Sequence, residues 1–102
     1  MVGGRMKEFV IACLKGEIDE KTCEKIYLQT SIMAELDAVN LYQAIARRTT
    51  NQKIRITMLD IAKEEKTHIG EFQYLLKEID AEFKQELEKG EQEVIHGGQS
   101  LY

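Results

Sequence analysis

Two long helical patterns joined by only Thr49, Thr50 and Asn51 constrain this chain more than anything else in it. Helices of about 28 residues, ~42 Å each at 1.5 Å per residue, can be linked that tightly only as an antiparallel hairpin. No proline interrupts the 102 residues, and Glu, Lys, Leu, Ile and Ala dominate, so helix is favoured throughout. Asp19 or Thr22 supplies an N-cap for the first long helix, and Arg47 and Arg48 complement its C-terminal dipole. The second runs from about Gln52 to Ile79, and Asp80 caps a short third helix ending at Gly90. Ahead of the hairpin, Phe9, Val10, Cys13 and Leu14 predict a short helix over Lys7–Leu14, broken by Gly16. The expected fold is all-α. Residues 1–18 form a flexible start and short helix, 19–90 the hairpin with its short third helix, and 91–102 a loosely held tail.

One small domain of this length sits near the lower limit for burying a self-sufficient core, so a partner chain is expected. Hydrophobic residues at 43% and charged residues at 31% describe a soluble globular mixture. No run approaches the roughly 20 apolar residues of a spanning helix and no signal peptide opens the chain, which predicts a cytosolic protein without a membrane partner. The net charge of −4 comes wholly from Asp80–Glu93, where six acids face Lys84 and Lys89. That balance lacks a nucleic-acid footprint and points toward cations. Cys13 and Cys23 match neither a CxxC pair nor a zinc spacing, and both are expected as small buried hydrophobes rather than a disulfide or redox pair.

Steps of three and four residues read off one face of each long helix. The first gives Leu28, Ile32, Glu35, Val39, Tyr42 and Ala46; the second gives Ile54, Met58, Ile61, Glu65, His68, Phe72, Leu75 and Ile79. Glu35, Glu65 and His68 therefore interrupt stripes that burial reserves for hydrophobes, where an unpaired carboxylate costs several kcal/mol. One divalent cation would compensate all three. Glu65 and His68 form a Glu-x-x-His pair, and oxygen and nitrogen ligands without thiolate suit Fe(II) or Mn(II), with Zn(II) admissible.

A di-iron carboxylate bundle takes a Glu from each of two helices and a Glu-x-x-His from each of the other two; this chain has one of each, which is half a site. Two hairpins about a two-fold axis would complete a four-helix bundle. Against this stands the plainer reading, in which Glu-x-x-His sits on a solvated face or sets a coiled-coil register. Glu64, spaced i, i+4 from His68, competes with Glu65 but lies about 100° round the helix. Tyr42 is either a core aromatic or a hydrogen-bond partner beside the metal. Asp37 falls off the seam and reads as a surface acid rather than a ligand guiding iron in, His96 reads as a solvated residue, and Gly70 suggests close helix approach near His68.

The segments Ala34-Glu35-Leu36-Asp37-Ala38-Val39-Asn40-Leu41-Tyr42 and Asp60-Ile61-Ala62-Lys63-Glu64-Glu65-Lys66-Thr67-His68-Ile69-Gly70-Glu71-Phe72 resemble the encapsulated ferritins, two-helix ferritin-like cargo proteins of encapsulin nanocompartments. The resemblance covers roughly Ile26–Gly90. It implies a ferritin-like hairpin that dimerises into a four-helix bundle, a ferroxidase centre at the dimer interface and dimers assembled into a decameric ring. It also implies Glu35, Glu65 and His68 as iron ligands and Tyr42 as a tyrosine beside them. Ala34 and Leu41 stand where some relatives carry an acid and a tryptophan. Relatives often end in a shell-targeting peptide or are fused to the shell protein, and no such peptide is recognisable in Gly97–Tyr102.

The expected function is oxidation of Fe(II) by O2 at a di-iron centre between two subunits, for iron storage inside an encapsulin compartment in the cytoplasm. The alternatives are a metal-stapled or metal-free helical interaction module without turnover, and a rubrerythrin-type peroxidase. The last expects two Glu-x-x-His motifs in one chain and usually a Cys-rich domain, neither of which is found here.

Overall fold

The structure, a computed structural model, describes residues 4–97. Four helices follow in chain order: α1 Gly4–Leu14, α2 Glu20–Arg48, α3 Gln52–Ile79 and α4 Ala81–Ile95. No strand occurs among the described residues, and none of their helices is long and apolar enough to cross a membrane.

Each boundary has a local cause. Asp19 N-caps α2, accepting from the Thr22 backbone N–H at 3.0 Å, and this bond holds its carboxyl below the usual value. Asn51 accepts from the N–H groups of Lys53 and Ile54 and starts α3. Arg55 then closes the connection from the far side, donating Nε to the Ala46 carbonyl at 3.0 Å and Nη2 to that of Thr49. These are end-of-helix carbonyls that α2 itself leaves unpaired. Arg55→Met is therefore expected to cost about 2 kcal/mol, because charged donors leave partly buried acceptors. Urea unfolding checks this, and an unchanged midpoint would mean that water replaces the guanidinium. Asp80 ends α3 and caps α4 through the Phe83 N–H at 3.0 Å, while Lys25 lies 3.8 Å from its second oxygen.

Two boundaries differ from expectation. α1 begins at Gly4, so Arg5 is helical; residues 1–3 lie outside the described part. α4 passes through Gly90 to Ile95, so the segment just beyond Gly90 is helix rather than loose tail. An interior glycine costs about 1 kcal/mol, which its Glu, Gln and Leu neighbours outweigh. The helix stops where His96 caps it and Gly97 turns to φ 64°. The segment searched for a shell-targeting peptide lies mostly in 98–102, outside the described residues.

The core is thin. Between α2 and α3, Ala38, Val39, Ala46, Ala62 and Leu76 are buried, and four of these five are small side chains that let the helices approach. Each helix has only one neighbour along most of its length, so Ile54, Leu75 and Ile79 of the expected core stripe stay exposed, with Leu36, Leu41 and Leu59. The hairpin is one layer where stable domains pack two. α1 lies on α2 alone and α4 on α3 alone, giving a flat outline of 47 × 46 × 21 Å.

The cysteines correct the sequence reading. Cys13 and Cys23 are buried, as expected of small hydrophobes, but they are joined as a disulfide. Gly16, at φ 75°, turns the chain so that α1 folds back over the first turn of α2, bringing the two Cα atoms to 5.6 Å. Closing a loop of this length is worth about 3 kcal/mol in the chain-entropy account. Reduction is expected to accelerate amide exchange in α1 while α2 and α3 keep their protection. Equal protection in both states would show that packing alone holds α1.

Candidate metal centre

Midway along the hairpin α2 and α3 place three metal-ligand side chains on one face. His68 Nδ1 lies 2.7 Å from Glu35 Oε2 and 3.9 Å from Glu65 Oε2, and one ligand atom from each residue fits within a 4.8 Å spread. Glu35 comes from α2, whereas Glu65 and His68 stand one turn apart on α3. The two carboxylates are largely covered, with side chains 18% and 17% exposed, and the imidazole is open at 46%. The cluster therefore lies at a surface and opens outward.

Its electrostatics are those of a site with too much negative charge. Glu65 titrates above the usual carboxylate value, chiefly because it shares a hydrogen bond with Glu35, with desolvation and the Glu35 charge adding to the effect and Glu64 contributing weakly. His68 is raised above the ordinary imidazole value, first by its hydrogen bond to Glu35. Both shifts favour a proton shared between the ligand atoms, and a bound cation would displace it. Two carboxylates and an imidazole without thiolate fit Fe(II) well.

The other sequence candidates are placed as follows. Tyr42 is half-buried two turns beyond Glu35, and among the described residues its hydroxyl bonds to none of the three. Glu64 points to solvent and acts on Glu65 only through its charge. Asp37 stays outside the cluster, and His96 is an exposed helix cap. At Gly70 a Cβ would meet nothing within 4 Å among the described residues, so the close helix approach expected there is not made within one hairpin. The residue that sequence reasoning missed is Arg55, whose signal was an arginine one turn into α3 opposite the open carbonyls of α2.

Comparison with known proteins adds independent findings. The rubrerythrin family model matches residues 27–96. A ferritin-like–encapsulin shell fusion protein of Pyrococcus furiosus is 48% identical over 67 residues, 66% of this chain and 19% of that protein. An encapsulin nanocompartment cargo protein, EncB of Myxococcus xanthus, is 28% identical over 68 residues, 67% of this chain and 43% of its own length. This chain thus spans less than half of either curated relative. The crystal structure of the encapsulated ferritin domain from Pyrococcus furiosus superimposes with a TM-score of 0.74 at 41% identity, covering 78% of this chain and 82% of that domain. By family model, identity and fold together, the chain belongs to the rubrerythrin family of ferritin-like proteins, among the encapsulated ferritins.

Proposed function

We propose that this chain is a ferroxidase, oxidising Fe(II) to Fe(III) with O2 at a di-iron centre built by two copies, each giving Glu35, Glu65 and His68. The observation that carries the reading is the donor count: one Glu and one Glu-x-x-His, gathered on an open face, are half of a di-iron carboxylate set. A second hairpin laid on that face supplies the other half and covers Ile54, Leu75 and Ile79 in the same step. The iron carries the electrons to O2. The chain's own part is to bind, with Glu35 and Glu65 supplying anionic oxygen and His68 a neutral nitrogen once the protons held among them leave. Tyr42, on the same face, is proposed as a hydrogen-bond partner beside the centre.

Hairpins one layer thick enclose little volume, so Fe(III) is proposed to be stored outside the dimer. The encapsulin names of two relatives support a shell around it; a cytoplasmic shell and dimers joined in a decameric ring are part of the proposal. Aerobic Fe(II) oxidation followed by absorbance, against Fe(II) alone, tests the reading. Oxidation well above the blank is expected. A trace that follows the blank would return the cluster to a structural role and give the lead to an interaction module without turnover.

A further inference from the structure

The disulfide is a feature that neither the hairpin nor the metal centre requires. Cys13 and Cys23 are the only cysteines of the chain, and they tie α1 to the first turn of α2. Among the described residues α1 packs on α2 alone and gives no side chain to the cluster of Glu35, Glu65 and His68. Much of it stays in solvent, with Phe9, Ile11 and Leu14 exposed. Both cysteines also precede the 27–96 stretch that matches the family model. In the reducing cytoplasm proposed above, a bond of this kind is out of place as a permanent staple. Disulfides that do form in such a compartment are usually transient, catalytic or redox-sensing.

The surroundings set the two sulfurs apart. Cys23 lies on the opening turn of α2, at the positive end of its dipole, and Cys13 on the closing turn of α1, at the negative end. In the reduced chain Cys23 is therefore the sulfur that more readily becomes a thiolate and attacks. Cys13, its Cα 5.6 Å away, is within reach to complete the bond. Both are buried while oxidised, but a shallow depression of about 510 Å³ between α1 and the link to α2 brings solvent up to Ala12 and Ile18. Ala12 adjoins Cys13, and the Ile18 carbonyl lies 3.5 Å from Cys23 Sγ. Reduction leaves α1 held by packing alone, which opens the remaining path to Cys23.

We propose that Cys13 and Cys23, when reduced, are a peroxide-consuming dithiol that removes the hydrogen peroxide released at the metal centre, Cys23 attacking and Cys13 closing the bond. The source of the peroxide rests on the ferroxidase reading: two Fe(II) give two electrons, which with two protons take one O2 to one hydrogen peroxide. Cys23 stands twelve residues before Glu35 on α2, ~18 Å along the helix, so peroxide reaches it by diffusion. The Cys23 thiolate attacks one peroxide oxygen and the O–O bond breaks, leaving a sulfenic acid on Cys23 and a hydroxide that takes up a proton as water. The Cys13 thiol then attacks that sulfur, the S–S bond forms and a second water leaves. One dithiol and one peroxide thus become one disulfide and two waters. A cellular dithiol reductant returns the pair to its starting state.

The full chain, metal-free, reduced with dithiothreitol and desalted without air, tests this when one equivalent of hydrogen peroxide is added and free thiols are followed by alkylation and mass spectrometry. Both thiols are expected to disappear together as one disulfide, several-fold faster than in the same chain unfolded in urea. A folded chain that reacts no faster than the unfolded one would overturn the proposal, because a plain staple gains nothing from its setting. Dimedone, which traps sulfenic acid, is expected to label Cys23 in Cys13→Ser and to leave Cys23→Ser almost unlabelled; equal or reversed labelling would overturn the assigned roles. Fe(II) and air are then supplied in place of peroxide, with iron oxidation read on the same samples. The thiols are expected to be lost, and to be spared when catalase is present. Thiols that survive while iron is oxidised, or that are lost despite catalase, would overturn the peroxide route. Iron that is not oxidised, in a chain whose thiols do consume added peroxide, sinks the ferroxidase and leaves the dithiol chemistry standing.

Discussion

Glu65→Ala is expected to bring Fe(II) oxidation down to the rate of Fe(II) alone, and Glu35→Ala to do the same. In a two-fold centre each substitution removes two anionic ligands at once. Glu35 is the more connected of the pair, lying 2.7 Å from His68 and sharing a hydrogen bond with Glu65. Losing an outlying partner of a metal ligand typically costs 10–100-fold, so losing a ligand here is expected to cost more than ~100-fold. Glu64→Ala is the control, since Glu64 is exposed and only its charge reaches the cluster. A small change in that variant supports the i, i+3 pair. If Glu64→Ala abolished oxidation and Glu65→Ala did not, the ligand would be the i, i+4 carboxylate and the centre would have to be rebuilt around it.

Much of the fold and of the cluster is legible in the residues alone. The hairpin was legible because its link is three residues long and its caps, Asp19, Asn51 and Asp80, are side chains whose only economical use there is to hold open helix ends. The cluster was legible because Glu35, Glu65 and His68 break apolar stripes, and a stripe interruption is visible without a fold. The disulfide was hidden, since its cysteines lie at no motif spacing. What joins them is the turn at Gly16, and a reductive compartment argued the other way. Gly70 is ambiguous for a related reason. A glycine within a helix reads as close packing, yet nothing among the described residues of its own chain approaches it. The stripe also overstated the core: periodicity says which side chains share a face, and a single neighbouring helix cannot cover all of Ile54, Leu75 and Ile79.

Metal and pH should move stability in opposite directions. In the metal-free chain Glu65 and His68 both hold their protons above the ordinary values of 4.5 and 6.5. A raised group favours the folded state while its proton is on, so its contribution is complete below the unfolded value and is lost as pH rises through the folded one. Both shifts have this sign. The metal-free melting temperature is therefore expected to fall from pH 4.5 upward, and further above 6.5. A divalent ion competes for the same oxygens and nitrogen and binds only as the protons leave, so its stabilisation grows over the same range. An ion present at about 100 times its dissociation constant adds about 2.7 kcal/mol, which is roughly 10–20 °C for a chain of this length. Anaerobic Fe(II) or Mn(II), at fixed protein concentration, should give this increment near neutral pH and almost none at pH 4.5, with the dimer fraction rising alongside it. A melting curve indifferent to metal at neutral pH would mean that Glu35, Glu65 and His68 satisfy one another and need no ion. A metal increment equal at both ends of the range would mean that the ion binds elsewhere, because Glu35, Glu65 and His68, the one group of three such ligands among the described residues, must give up protons to take a cation.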